Sequence, residues 1–218
     1  MNNDLNLIWE AYLQESVPDH ITAIFPGGFK PPHKGHFELA KDFINDPSVR
    51  SVKILLGPTK RESKDGSVIV GEAQSRLIWE QYYLPALPMG KIELISTDTP
   101  NPMVQAYEYV QETAIEGEIV ALVSSKKDEK DAARALDFTK KHEKGSGRYY
   151  RPGVSVVYHP SDTVALYEDR VGMLNGRAIS ASTMREDAAK GDIVNFTTNL
   201  PNEVQKYAAD ILNIITNE

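Results

Sequence analysis

The sequence predicts an α/β fold: a doubly wound, five-stranded parallel sheet with helices on both faces and a C-terminal helical segment. Three observations predict it. Five short apolar runs recur along the chain: ITAIF, SVKILLG, KIELIS, EIVALVS and GVSVVYH. Segments with helical periodicity separate the first four and follow the fourth. The first run ends in a Pro/Gly turn that opens directly into a helix-like stretch. Strands separated by helices form βαβ units, and right-handed crossovers place the helices on both faces of a parallel sheet.

Taken in order, Leu5–Glu15 is weakly amphipathic, with Leu5, Ile8, Trp9, Tyr12 and Leu13 at helical spacing. It reads as a helix docked on the main body and stopped by Pro18. Ile21–Phe25 is the first strand, and Lys34–Asp46 reads as the helix after the turn. Ser51–Gly57 is the second strand. A polar loop, Pro58–Val70, leads to a helix over Gly71–Leu84. Lys91–Ser96 is the third strand, followed by a helix near Met103–Thr113. Glu118–Ser124 is the fourth strand, and Asp128–His142 is a charged helix. Lys140–Gly153 is basic and Gly-containing, the pattern of a loop over a site. Gly153–His159 is the fifth strand. Thr183–Lys190 reads as a helix, and Pro201–Glu218 as a terminal one with Val204, Tyr207, Ala208, Ile211 and Ile215 on one face. The expected organisation is a single domain over 1–218: an N-terminal helix at 1–18, an α/β core at 19–192 and a C-terminal helix at 193–218.

Composition narrows the function classes. The net charge of −7 and pI of about 5.3 argue against broad binding to nucleic acid or an anionic membrane, but leave room for a small basic pocket. With no cysteine, disulfides and thiolate metal centres are excluded. The first residues lack the basic start and apolar core of a signal peptide, and no apolar run approaches the roughly 20 residues that span a bilayer. The expectation is a soluble, cytoplasmic protein that is open to homo-oligomerisation.

The stretch FPGGFKPPHKGHFELA, Phe25–Ala40, lies at the carboxyl end of the first strand, where open α/β sheets bind ligands. Gly27 and Gly28 permit a sharp exit from the strand and a close backbone approach to a ligand. Pro31 and Pro32 stiffen the turn. A helix start at Lys34–His36 offers free N–H groups and a positive dipole end to an anion, with His33, His36, Lys30 and Lys34 beside it. A capped structural turn and a metal site are the alternatives. The metal site needs a third ligand, and the histidine pair alone is not a recognisable zinc spacing.

The segment HKGH, His33–His36, resembles the HxGH signature of the nucleotidylyltransferase superfamily. ISASTMR, Ile179–Arg185, resembles that superfamily's second signature, of ISSTxxR type. Both occur in the family's order, with α/β alternation between them, and the resemblance covers roughly Ile21–Asp192. It implies a Rossmann-like fold and transfer of a nucleotidyl group from a nucleoside triphosphate to a phosphate on an acceptor, with release of pyrophosphate. By position it implies that His33 and His36 contact the triphosphate and that Gly35 leaves room for the nucleotide. Phe25, Pro26, Gly27, Gly28 and Phe29 run along the nucleotide. Ser180, Ser182, Thr183 and Arg185 hold the β- and γ-phosphates through a helix N-terminus and a guanidinium. Ser124, at the carboxyl end of the fourth strand, falls where relatives contact the nucleoside. Mg²⁺ arrives with the triphosphate, held largely by substrate oxygens and water.

The turn GGFKPPHKGH is most similar to that of archaeal-type nicotinamide-nucleotide adenylyltransferases, which reads like GRFQPFHKGH. Lys30 stands where an acid or amide is common, and it can reach a phosphate. The segment GEAQSR resembles the family's xxGER helix start, a region that faces the acceptor. This assigns Lys60, Arg61 and Arg76 to an acceptor phosphate, against the alternative of a solvated loop. The expectation is therefore an adenylyltransferase using ATP, on an acceptor such as nicotinamide mononucleotide to give NAD. A CTP-dependent cytidylyltransferase is the near variant, and a nucleotide-binding module without turnover is the alternative of a different class. No nucleic-acid or membrane partner is expected.

Overall fold

The computed structural model describes residues 21–88, 90–126, 128–145, 148–161, 173–174 and 177–217, the side chains of 173, 174, 177 and 178 excepted. The helix expected at Leu5–Glu15 lies outside these residues.

A five-stranded parallel sheet forms from β1 (Ile21–Gly27), β2 (Val49–Leu56), β5 (Ile92–Ser96), β6 (Ile119–Leu122) and β7 (Ser155–Val157). Its order is β5-β2-β1-β6-β7. Successive strands move outward from β1 in one direction and then, starting at β6, in the other. The order therefore reverses between β1 and β6, and a crevice opens beyond their carboxyl ends. The protein has a Rossmann-like α/β fold.

The strand pleat separates two cores. Ile21, Ala23 and Phe25 of β1, with Val52, Ile54 and Leu56 of β2, point to one face. Ile24, Leu55, Val120 and Leu122 point to the other. The first face is covered by α1 (Lys34–Asn45) and α2 (Glu72–Ile78), with α5 (Ala181–Ala189), α6 (Ile193–Thr198) and α7 (Ala208–Thr216) behind them. The second is covered by α3 (Pro102–Glu108) and α4 (Glu129–His142). Caps explain the starts of these helices. Asn101, Asp128, Ser180 and Asp192 each accept a first-turn backbone N–H with their side chains.

Three expectations need correction. Pro58–Val70 is not only loop: β3 (Arg61–Glu62) and β4 (Ile69–Val70) pair antiparallel around a turn. Asp65 accepts from the Ser63 hydroxyl at 2.6 Å and from the Ser67 N–H at 3.0 Å, and this side-chain turn is what closes the hairpin. The C-terminal helix is broken, because Pro201 cannot continue a helix; α6 ends at Thr198, and α7 starts after a 3₁₀ turn at Gln205–Tyr207. Of the expected apolar face, Ala208, Ile211 and Ile215 on α7 and Val204 before the 3₁₀ turn are buried, whereas Tyr207 in that turn is exposed and lies against Tyr82 at 5.3 Å. Finally, α2 and α3 pass into π-helical turns at Trp79–Tyr83 and Tyr109–Thr113. Among the described residues no helix is long and apolar enough to cross a membrane.

Candidate active site

The turn after β1 is braced from four directions. Gly27 is required there, because a Cβ would sit 2.6 Å from the Phe29 ring. Phe29 adopts φ +48°, and its carbonyl accepts from the Ser75 hydroxyl of α2 at 2.5 Å. The Pro32 carbonyl accepts from the Tyr83 hydroxyl at 3.0 Å. The Lys30 ammonium donates to the Gly57 carbonyl at the end of β2, at 2.9 Å. The Arg185 guanidinium donates to the Lys30 carbonyl and, at 2.9 Å, to the Glu62 carbonyl of the hairpin. Phe25 and Phe29 are core residues, and Phe29 meets Trp79 and His36 edge-on.

The two histidines form the N-cap of α1. The Gly35 N–H donates to His33 Nδ1 at 3.1 Å, and the His33 N–H donates to His36 Nδ1 at 3.2 Å. A backbone N–H needs an unprotonated acceptor, so both neutral imidazoles carry their proton on Nε2. The rings stack with centroids 3.7 Å apart and 31° between planes. Gly35 serves this stack directly, since a Cβ there would press on the His33 ring at 3.2 Å.

The helix start is less open to an anion than its sequence suggests. The Lys34 N–H is taken by the Asn199 carbonyl at 2.8 Å, the Gly35 N–H by His33 Nδ1, and the His36 N–H by the His33 carbonyl at 2.9 Å. The first-turn amides are spent on the fold. What α1 offers a ligand is its dipole and the imidazole edges.

His36 lines a cavity of about 200 Å³ at the β1/β6 reversal. Gly27, Met103, Leu122 and the Asp131–Arg134 pair of α4 also line it. Small-molecule pockets usually begin near 300 Å³, so the cavity has room for one moiety and not for a whole nucleotide.

The cations gather unevenly. Burial pushes the Lys30 ammonium down to about 8, an effect that Glu72 opposes and Arg61 reinforces. Arg185 is also pulled below its ordinary value, by burial first and by the Arg61 charge second. Lys30, Arg61 and Arg185 therefore share one neighbourhood. Lys60 is exposed, and its stem lies near Gly71. Arg76 is engaged elsewhere, donating to Ser96 Oγ at 2.7 Å and pairing with Glu80 and Glu72 at 3.3 and 3.7 Å. Around the second motif, Ser180 Oγ accepts the Thr183 N–H at 3.0 Å and meets its hydroxyl at 2.8 Å, while Ser182 is exposed. Ser124 is 1% exposed, with no hydrogen-bond partner for its hydroxyl among the described residues. Sequence reasoning missed Ser75, Tyr83 and Asn199, which act through the backbone of the turn. The spacing of Ser75 and Tyr83 on one helix face was the available signal for those two.

A larger hollow of about 530 Å³ lies away from the turn, beside Asp46 and His159. Ser48 completes a Ser/His/Asp group there, but both Asp46 Oδ2 (2.9 Å) and Ser48 Oγ (3.3 Å) address the same His159 Nε2. The Ser48 hydroxyl donates to Asp46 Oδ1 at 2.5 Å. A nucleophile relay needs the acid and the hydroxyl on opposite ring nitrogens, so this cluster is structural.

Among the described residues no group of three or more His, Asp or Glu side chains converges to hold a metal ion. No protein-family model matches the chain, and the search of curated proteins finds no match.

Proposed function

We propose that the protein is a nucleotidylyltransferase. It transfers a nucleotidyl group, AMP from ATP, to a phosphate-bearing acceptor of the nicotinamide-mononucleotide type and releases pyrophosphate. The observation that carries this reading is the stacked His33/His36 pair. Its tautomers are fixed by backbone donors at the strand reversal, and Arg185 ties the same turn to α5.

In the reaction an acceptor phosphate oxygen attacks the α-phosphorus. The new P–O bond forms as the bond to the β-phosphate's bridging oxygen breaks, and that oxygen leaves with the electron pair as pyrophosphate. No side chain forms a covalent bond. The protein's part is positioning and charge stabilisation. The Nε2–H groups of His33 and His36 donate to phosphate oxygens as charge moves toward the leaving group. Any Mg²⁺ enters with the triphosphate as part of the substrate.

The test is pyrophosphate release with Mg²⁺, ATP or CTP, and a panel of phosphorylated acceptors. His36→Ala should lower kcat by about 100-fold or more, the cost of one such donor. Silence across the panel, or full activity in the variant, sinks the proposal. Nucleotide binding without release identifies a binding module instead.

A further inference from the structure

Pro31 and Pro32 remove two N–H donors from the turn after β1. Its carbonyls at Phe29, Lys30 and Pro32 take side-chain donors from other elements instead: Ser75, Arg185 and Tyr83. The Tyr83 bond differs from the other two, because the Pro32 carbonyl and the His33 N–H are the two ends of one peptide group. Tyr83 Oη donates to the carbonyl end at 3.0 Å, and the N–H end donates to His36 Nδ1 at 3.2 Å. A peptide group is planar, so fixing one end aims the other. A donor on the carbonyl also polarises the N–H and strengthens its own bond. Which imidazole nitrogen carries the proton is set by the bond that the other one makes. The contacts therefore run unbroken from the Tyr83 hydroxyl, through the Pro32–His33 peptide, to the proton on His36 Nε2.

Tyr83 itself is rigidly held. It is fully buried, edge-on against Phe37 and Trp79 at 5.5 and 5.1 Å. Burial holds its hydroxyl well above its ordinary range, so it remains a donor wherever a histidine titrates. It is the last residue of the π-helical turn Trp79–Tyr83. Eight residues of regular α-helix would leave it about 80° round the axis from Ser75. The wider π turn brings the two hydroxyls nearer to one face, and both address the same turn.

We propose that Tyr83 is a positioning residue: through the Pro32–His33 peptide it fixes the tautomer and the ring orientation of His36. Its catalytic consequence rests on the transferase reading, whereas its effect on the imidazole rests on geometry alone. Tyr83 touches no substrate. Without its hydroxyl the Pro32 carbonyl loses that donor and the peptide can tilt. His36 is then released to carry its proton on either nitrogen and to turn its Nε2 away from a phosphate.

The experiment compares the full wild-type chain with Tyr83→Phe and with Phe138→Leu, a variant weakened in the core on the other face of the sheet. Long-range ¹H–¹⁵N NMR reads the imidazole tautomers, thermal melts read stability, and the pyrophosphate assay reads kcat and KM. In the wild type His36 Nδ1 should be the unprotonated nitrogen. In Tyr83→Phe a second His36 tautomer should appear, and kcat should fall about tenfold or more with KM within twofold of wild type. Phe138→Leu should lose Tm and change neither. An unchanged His36 tautomer in Tyr83→Phe overturns the proposal whatever the Tm does, and so does a changed tautomer with kcat within twofold of wild type. Should Tyr83→Phe fail to fold, 3-fluorotyrosine at position 83 keeps the ring and makes its hydroxyl a stronger donor. It should move the His33 amide proton and the His36 Nδ1 resonance, and stillness of both overturns the proposal. The two readings fail separately. Pyrophosphate release with the tautomer unchanged in Tyr83→Phe sinks the positioning role and leaves the transferase. A tautomer change in a protein that releases no pyrophosphate with any acceptor upholds the positioning of His36 and sinks the transferase reading.

Discussion

His142 is a buried base at the end of α4. Its Nδ1–H donates to the Phe138 carbonyl at 2.7 Å, and its ring lies against Phe138 and Tyr107 at 4.4 and 5.6 Å. Its Nε2 is buried with no partner among the described residues. A helix C-terminus favours a charged imidazole, but here desolvation is the larger effect and the group titrates below its ordinary 6.5. The sign of the consequence follows. Below pH 6.5 the unfolded chain takes up the proton before the folded one does, so stability falls with falling pH until the folded value is passed. The Tm of the wild type should drop more steeply between pH 7 and 5 than that of His142→Phe. Parallel thermal melts check this, and equal slopes would remove His142 as a cause.

At the scale of elements, α5 depends on its cap. It has nine residues, and Ser180 supplies the acceptor for its Thr183 N–H. Ser180→Ala should cost about 1 kcal/mol in urea denaturation. Because α5 presents Arg185 to two other segments, the same change should raise amide exchange at Val68, whose N–H is held by the Ser63 hydroxyl inside the hairpin. This element was partly legible in the sequence: a Ser/Thr run before a helical pattern is a readable start. The hairpin it holds was not, because two-residue strands leave no periodicity. Asp65 closes the turn by side-chain bonds that a polar loop would equally allow.

For the whole molecule, the sheet is the common wall of two cores. Phe37 packs on one face and Phe138 on the other, and both are fully buried. Each Phe→Ala change should cost about 3–5 kcal/mol. The double variant should lose the sum within about 0.5 kcal/mol, since the sites share no partners. Urea denaturation of the three variants measures both numbers. Two-sided burial explains why β1 and β6 were readable as near-continuous apolar runs, whereas the edge strands β5 and β7 hold no fully buried residue and were readable only as short apolar runs between helical segments. The site was readable only as a set of residue types. The sequence marks His33, His36 and Arg185, but not that Asn199 takes the Lys34 N–H or that Arg76 is tied to α2's own acids. Those are contacts between distant segments, and local pattern carries no trace of them.

The Arg185 bond to the Lys30 carbonyl spans 155 residues of sequence, and the Asn199 carbonyl on the Lys34 N–H spans still more. During synthesis, which runs from the N-terminus, the fifth strand of the sheet is available once Val157 has left the ribosome. The turn that carries the histidines must then wait for the last two clamps to be translated. The same late segment carries Met184, Phe196, Leu200 and Ile211 of the core on α1's face of the sheet, so a message truncated after the sheet would leave part of that face uncovered as well as α1 without its remote cap.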